Sequence, residues 1–165
     1  MNPLATSFFT NHSSTPLSDS FPIRRELDVR RHDNCSSLVM DCYFGTFDLP
    51  KNNPSGKSAV VTFYIPDVGI RFKAPFSGVD KNHSDFASLL ALLEFIDSNQ
   101  KYFSSRTFKI FGNNLSIINQ VNGQERGPEP FAVLLEKAID FRKKYKFALA
   151  WVPDTDNAAH DSLLG

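Results

Sequence analysis

The hydrophobic pattern divides the chain in two. Residues 1–36 are rich in Ser, Thr, Pro and Asn without sustained periodicity, whereas regular patterns begin at Ser37. Leu38-Val39-Met40-Asp41-Cys42-Tyr43-Phe44 reads as a strand, with Asp41 set among apolar neighbours. Asn52-Asn53-Pro54-Ser55-Gly56 is a turn, in which Pro presets φ and Gly can take φ > 0. Ser58 to Ile65, rich in β-branched and aromatic residues, is a second strand. After Pro66-Asp67, the alternation of Val68, Ile70, Phe72 and Ala74 predicts a third. Short connections between the three predict an antiparallel meander.

The period then changes. Ser84 is the expected N-cap of a helix carrying Phe86, Leu89, Leu90, Leu93 and Ile96 at helical spacing. Thr107 to Phe111 is a fourth strand, and a short helix over about 114–122 stops at Asn122-Gly123. Glu129-Pro130 opens a longer helix, with Arg142, Lys143 and Lys144 at the negative end of its dipole. Phe147 to Val152 is a fifth strand, and Asp156 or Asn157 caps a final short helix. The order β-β-β-α-β-α-α-β-α predicts an α/β fold. Its five-stranded mixed sheet is antiparallel in the first three strands and flanked by helices. On this reading residues 1–36 form a flexible or loosely packed arm and residues 37–165 a single domain.

Charge and composition narrow the partners. Eighteen basic residues balance eighteen acidic ones, so any nucleic-acid surface has to be a local patch. The mixed-charge stretch Arg24 to Asp33 reads as a solvated segment. Two cysteines, Cys35 and Cys42, are too few for a disulfide framework and lack the spacing of zinc ligands. Reduced thiols in a cytoplasmic protein are expected. No apolar run approaches the ~18 residues of a membrane span, and the N-terminus lacks a secretory pattern, so no membrane partner is expected.

Three stretches carry chemistry. Ala87-Ser88-Leu89-Leu90-Ala91-Leu92-Leu93 resembles the helix A-E-x-x-A-L of the type 1 ribonuclease H family, with Ser88 at the glutamate. Ile110-Phe111-Gly112-Asn113-Asn114-Leu115-Ser116-Ile117-Ile118-Asn119-Gln120-Val121-Asn122-Gly123 is similar to its I-Y-G-D-S-x-L-V-I-N-Q-V-N-G segment, with Asn113 at the aspartate. Trp151-Val152-Pro153 through Asn157 to Asp161-Ser162-Leu163 is similar to W-V-P-R-x-x-N-x-x-A-D-x-L, with Asp161 at the aspartate and Asp154 at the arginine. More loosely, Asp41 stands at the family's first aspartate, and Asn53-Pro54-Ser55-Gly56 resembles the turn that follows. The resemblance covers about residues 37–164 and implies the ribonuclease H-like fold.

It also implies a site. Family members cleave the RNA strand of RNA/DNA hybrids with two divalent ions, which activate water and stabilise the leaving oxygen. Magnesium needs hard oxygen ligands, and four carboxylates offset two dications. The matching positions here are Asp41, Ser88, Asn113 and Asp161, so four anions fall to two. Each lost anion near a dication forfeits several kcal/mol. Asp41 and Asp161 are thus expected to hold at most one weakly bound Mg2+ or Mn2+, and nucleic-acid binding requires no cofactor. Asp85, three residues before Ser88 on the same helical face, is either a substitute acid or a first-turn acid favoured by the helix dipole. His160 is read as a helix surface residue and Asp48 as a loop acid. Expected nucleic-acid contacts are Asn52, Asn53, Lys57, Asn113 and Asn114, with Arg142, Lys143, Lys144 and Lys146 as a basic cluster whose plainer role is helix-end charge. Three functional readings follow, in this order. The first is a catalytically silent domain binding RNA/DNA hybrid or another RNA-containing duplex. The second is a scaffold with a protein partner, and the third a manganese- or magnesium-dependent nuclease using Asp41, Asp161 and Asp85. The oligomeric state is not set by the sequence.

Overall fold

The computed structural model describes residues 39–163. Leu38, Cys35, the Arg24 to Asp33 stretch and the expected arm lie outside the described residues. The strands are β1 (Val39–Asp48), β2 (Ala59–Ile65), β3 (Ile70–Phe76), β4 (Thr107–Gly112) and β5 (Phe147–Trp151). The helices are α1 (Lys81–Ser98), α2 (Gln100–Phe103), α3 (Leu115–Val121) and α4 (Ala132–Lys144). The sheet order is β3-β2-β1-β4-β5. Neighbours are antiparallel across β1/β2 and β2/β3, and parallel across β1/β4 and β4/β5. The expected meander and mixed sheet are both present.

Local chemistry moves several boundaries. Pro66–Val68 forms a 3-10 turn closed by Gly69 at φ 67°, so β3 starts at Ile70 and Val68 packs into the core. Helix α1 starts a turn before Ser84, because the Asp80 carboxylate accepts from the His83 amide as N-cap. Ser84 is instead a buried helical residue whose hydroxyl donates to the Asp80 carbonyl. Glu129–Phe131 is a 3-10 turn ahead of α4. The expected final helix consists of two 3-10 turns, Asp154–Asp156 and His160–Leu163.

The core lies on one face of the sheet. Met40, Cys42 and Phe44 of β1 and Phe108 and Ile110 of β4 pack against Leu89, Leu90 and Leu93 of α1, Ile117 of α3 and Ala138 of α4. Each fully buried leucine contributes roughly 1.5–3 kcal/mol. Ten consecutive residues of α1, Ser84 to Leu93, are buried, so this is a central helix rather than one with an outer polar face. The alternate residues of β1 (Asp41, Tyr43, Gly45, Phe47) face the other way. There, among the described residues, the His160–Leu163 turn covers one end, with the His160 ring 4.6 Å from that of Phe47. Burial raises the Cys42 thiol well above its ordinary range, with Asp41 and Asp67 adding to the effect, so it stays protonated.

Candidate functional site

Ser88 and Asn113 converge, but on Gly45 rather than Asp41. The Ser88 hydroxyl, fully buried on α1, accepts from the Gly45 amide at 3.0 Å and donates to the Thr62 carbonyl at 2.7 Å. Tyr43 pairs with Phe111 across the parallel strands, so two residues further on Gly45 and Asn113 are level. Asn157 ties the two: its side-chain nitrogen donates to the Phe44 carbonyl at 2.9 Å and to Asn113 Oδ1 at 3.0 Å. The Asn113 amide in turn donates to Asp154 Oδ1 at 3.1 Å, and Trp151 Nε1 donates to the Asn113 carbonyl at 3.3 Å.

The space that a side chain on Gly45 would need is already filled. A Cβ there would lie 2.5 Å from His160 Nε2 and 3.1 Å from Asn157 Nδ2. The imidazole is held by its Nδ1, which donates to Asp154 Oδ1 at 2.6 Å. Its Nε2 is buried and has no hydrogen-bond partner. His160 is partly exposed, as expected, but it sits in a 3-10 turn rather than an α-helix and its ring turns toward β1.

On the α1 side lies a second polar group. Asp85, 2% exposed, accepts from Thr46 Oγ1 at 2.6 Å and from Asn114 Nδ2 at 2.7 Å. Lys81 Nζ is 3.1 Å from Thr46 Oγ1 and 3.7 Å from Asp85, with its side chain about half exposed. Asn114 also caps α3 and donates to Asn82 Oδ1 at 2.9 Å. Because α1 begins at Lys81, Asp85 lies beyond its first turn and is not the dipole-favoured first-turn acid expected. Its oxygens already receive donors from β1, α1 and α3.

The remaining expected site residues are elsewhere. Asp41 is exposed opposite Lys109, four residues before Gly45 or roughly 13 Å along the strand, and the structure does not bring it to Ser88 and Asn113. Asp161 is exposed, while its neighbour His160 turns inward. Asp48 ends β1. Asn53 is consumed by its own turn, donating to the Pro50 and Lys57 carbonyls and accepting from the Ser55 amide. Asn52 is exposed and Lys57 half-buried beside it. The basic cluster sits at the opposite end of β5. There Arg142 caps α3 through the Val121 carbonyl and Asn122 Oδ1, Lys143 pairs with Asp140, and Lys144 reaches Asp97 at 2.6 Å. Burial would raise the Asp97 carboxyl, but hydrogen bonds from Lys144 and Tyr145 outweigh it and hold the group below its ordinary value. Lys146 makes no ion pair among the described residues. Sequence reading singled out none of Gly45, Thr46 and Lys81, and took Asn157 only as a helix cap and His160 only as a helix residue. Only Gly45 gave a signal, as a lone glycine inside a strand, which marks close approach of another group.

No protein-family model and no curated protein matches the sequence. Solved structures do match in shape. Against ribonuclease H1 from the halophilic archaeon Halobacterium salinarum NRC-1 the TM-score is 0.61 at 18% identity, over 76% of this chain and 93% of that one. LC11-RNase H1, solved with an RNA/DNA hybrid, gives 0.60 at 16%, over 76% and 99%. The N-terminal RNase H domain of rv2228c from Mycobacterium tuberculosis gives 0.60 at 15%, over 77% and 91%. With the sheet order and helix placement described above, these establish a ribonuclease H-like fold. No helix among the described residues is long and apolar enough to cross a membrane.

The magnesium ions that ribonucleases of this fold use do not suit the donors present. Gly45, Ser88 and Asn113 carry no charge, and Asp85 spends its oxygens on hydrogen bonds from Thr46 and Asn114 and an ion pair with Lys81. No group of three or more His, Cys, Asp and Glu side chains is gathered among the described residues. A pair of dications needs converging anionic oxygens with free lone pairs, and this arrangement does not fit it.

Proposed function

We propose that the chain is a catalytically silent ribonuclease H-like domain that binds RNA/DNA hybrid, or another RNA-containing duplex, in the cytoplasm. The observation carrying this reading is the meeting of Gly45, Ser88 and Asn113, three uncharged residues, at the point where metal-dependent cleavage needs carboxylates. Binding is supported by likeness to LC11-RNase H1, whose structure holds an RNA/DNA hybrid. Duplex recognition by groove shape, sugar hydroxyls and phosphates requires no dication. In this reading the half-exposed Lys81 ammonium offers a phosphate contact at the rim, with Asn113, Asn114, Asn52 and Lys57 as polar contacts. Arg142, Lys143 and Lys144 are left out, because they lie at the opposite end of β5. No cofactor is required.

The test is a fluorescently labelled RNA/DNA hybrid mixed with the full chain in magnesium and, separately, manganese. We expect a polarisation increase that weakens with salt by a log–log slope of about 0.9 per phosphate contact, with the RNA strand intact. RNA cleavage that stops in Asp161→Asn or Asp85→Asn would overturn the silent site. Absence of a polarisation change at low salt would overturn hybrid binding.

A further inference from the structure

The sheet face turned away from the helices carries a row of side chains with no role in the site above. The strand registers align Arg71, Tyr64, Tyr43, Phe111 and Ala150 side by side across all five strands. At the strand spacing of about 4.8 Å this row spans roughly 19 Å. The Tyr43 and Phe111 rings stack with centroids 5.1 Å apart, and the Arg71 guanidinium lies 3.6 Å above the Tyr64 ring. Across from Phe111 on β5 stands Ala150, so that strand sets only a methyl group beside the ring, which is half-buried among the described residues.

Next to this row, at the starts of β1, β4 and β5, lies a hollow of about 610 Å3 lined by Val39, Thr107, Lys109 and Ala148 of this face and by Lys143 and Lys146 from the end of α4 and the segment before β5. None of its lining residues is acidic. Lys109 and Lys146 make no ion pair among the described residues. Of the strand residues on this face, Arg71, Lys73 and Lys109 are cationic and Asp41 alone is acidic. Flat ring faces beside unpaired cations match one chemistry closely: unstacked bases on the aromatics and phosphates on the lysines.

We propose that this face binds single-stranded nucleic acid, as a surface separate from the Gly45–Ser88–Asn113 site and independent of the hybrid-binding reading. A base stacks on the outer side of Phe111 above Ala150, and the strand's phosphates run past Lys109 into the basic cavity. A duplex buries its base faces in its own stack, so it reaches the lysines but not the rings.

The probe is a fluorescein-labelled oligouridylate of about twelve nucleotides, titrated with the full chain and followed by polarisation. Binding is expected at low salt. Lys109→Glu/Lys146→Glu, two exposed positions, should weaken it about tenfold or more and lower the log–log salt slope by roughly 1.4. Phe111→Leu should weaken it by roughly five- to a hundredfold with little change in slope. If Phe111→Leu fails to fold, photocrosslinking of a 4-thiouridine probe to the unmodified chain should map to Tyr43 or Phe111. The proposal is overturned by any of three results: no binding, binding indifferent to the lysine variant, or an RNA duplex competing as well as the single strand. Self-association of the chain that buries Phe111 would overturn it too, assigning the face to a second copy.

Discussion

The two ends of the parallel strands β1, β4 and β5 treat polar groups in opposite ways. At the Gly45–Asn113 end, side chains satisfy one another: Asp85 takes Thr46, Asn114 and Lys81, while Asn157 bridges β1 and Asn113, and Asp154 holds His160. At the Val39–Lys109–Ala148 end, cations line an open apolar hollow, and two of them have no ionic partner among the described residues. Mutual satisfaction leaves few free carboxylate oxygens for a metal ion, whereas cations without an ionic partner beside half-buried rings are available to a polyanion. The end that resembles an enzyme site thus has its acids engaged within the protein, and the end with no counterpart in the family motifs keeps cations without an ionic partner among the described residues.

That contrast can be broken most forcefully at Ser88. The substitution Ser88→Glu returns the family's residue but removes two hydrogen bonds and places a carboxylate where the native side chain is fully buried. A loss of about 3–5 kcal/mol is expected in denaturant unfolding. A variant as stable as the parent would mean that this end has room for an ion after all.

Gly45→Ala probes the other side of the same strand. Its Cβ would meet His160 Nε2 at 2.5 Å, so a cost of about 1–3 kcal/mol is expected. A double-mutant cycle with His160→Ala should show coupling of at least about 1 kcal/mol, because the second change removes the obstacle. Additive effects would show that the imidazole simply swings away.

The smallest effect concerns a half-buried ring, that of His83. Burial lowers the pKa of His83, which lies beside Phe76 and Phe131, below its ordinary 6.5, although Asp80 acts in the opposite sense. Its Nδ1 accepts from the Val79 amide, which also requires the neutral ring. The unfolded chain therefore binds the proton more readily than the folded one. The stability that depends on neutral His83 is full above pH 6.5 and is lost as pH falls through the depressed folded value. Unfolding midpoints measured between pH 5 and 7.5 should decline toward acid, and His83→Gln should flatten the decline. An unchanged slope in that variant would move the titration to another group.

Much of the fold was legible because its signals are local. β-branched runs, period changes and the Asn122-Gly123 stop each lie within a few residues, and the motif around Ile110 to Gly123 placed β4 and α3 together. Boundaries failed where two local signals competed. Ser84 looked like a cap, yet Asp80 one turn earlier had both the carboxylate and the extended backbone to take that role. The site was legible only in its α1 and β4 members. Asp41 attracted attention as an acid among apolar residues, but a strand's period of two puts Asp41 and Gly45 on the same face, and only the register with β4 separates them. Gly45 hints at close approach as a lone strand glycine, but its partner is not local: His160 lies in a 3-10 turn more than a hundred residues later that folds onto β1.

The imidazole seated over Gly45 carries a consequence for substitution at that position. No side chain fits on Gly45 while the ring stays, and moving the ring gives up its bond to Asp154 and its packing beside Phe47. A larger residue there therefore comes at little cost only together with a second change at His160, so the two positions vary as a pair and not singly.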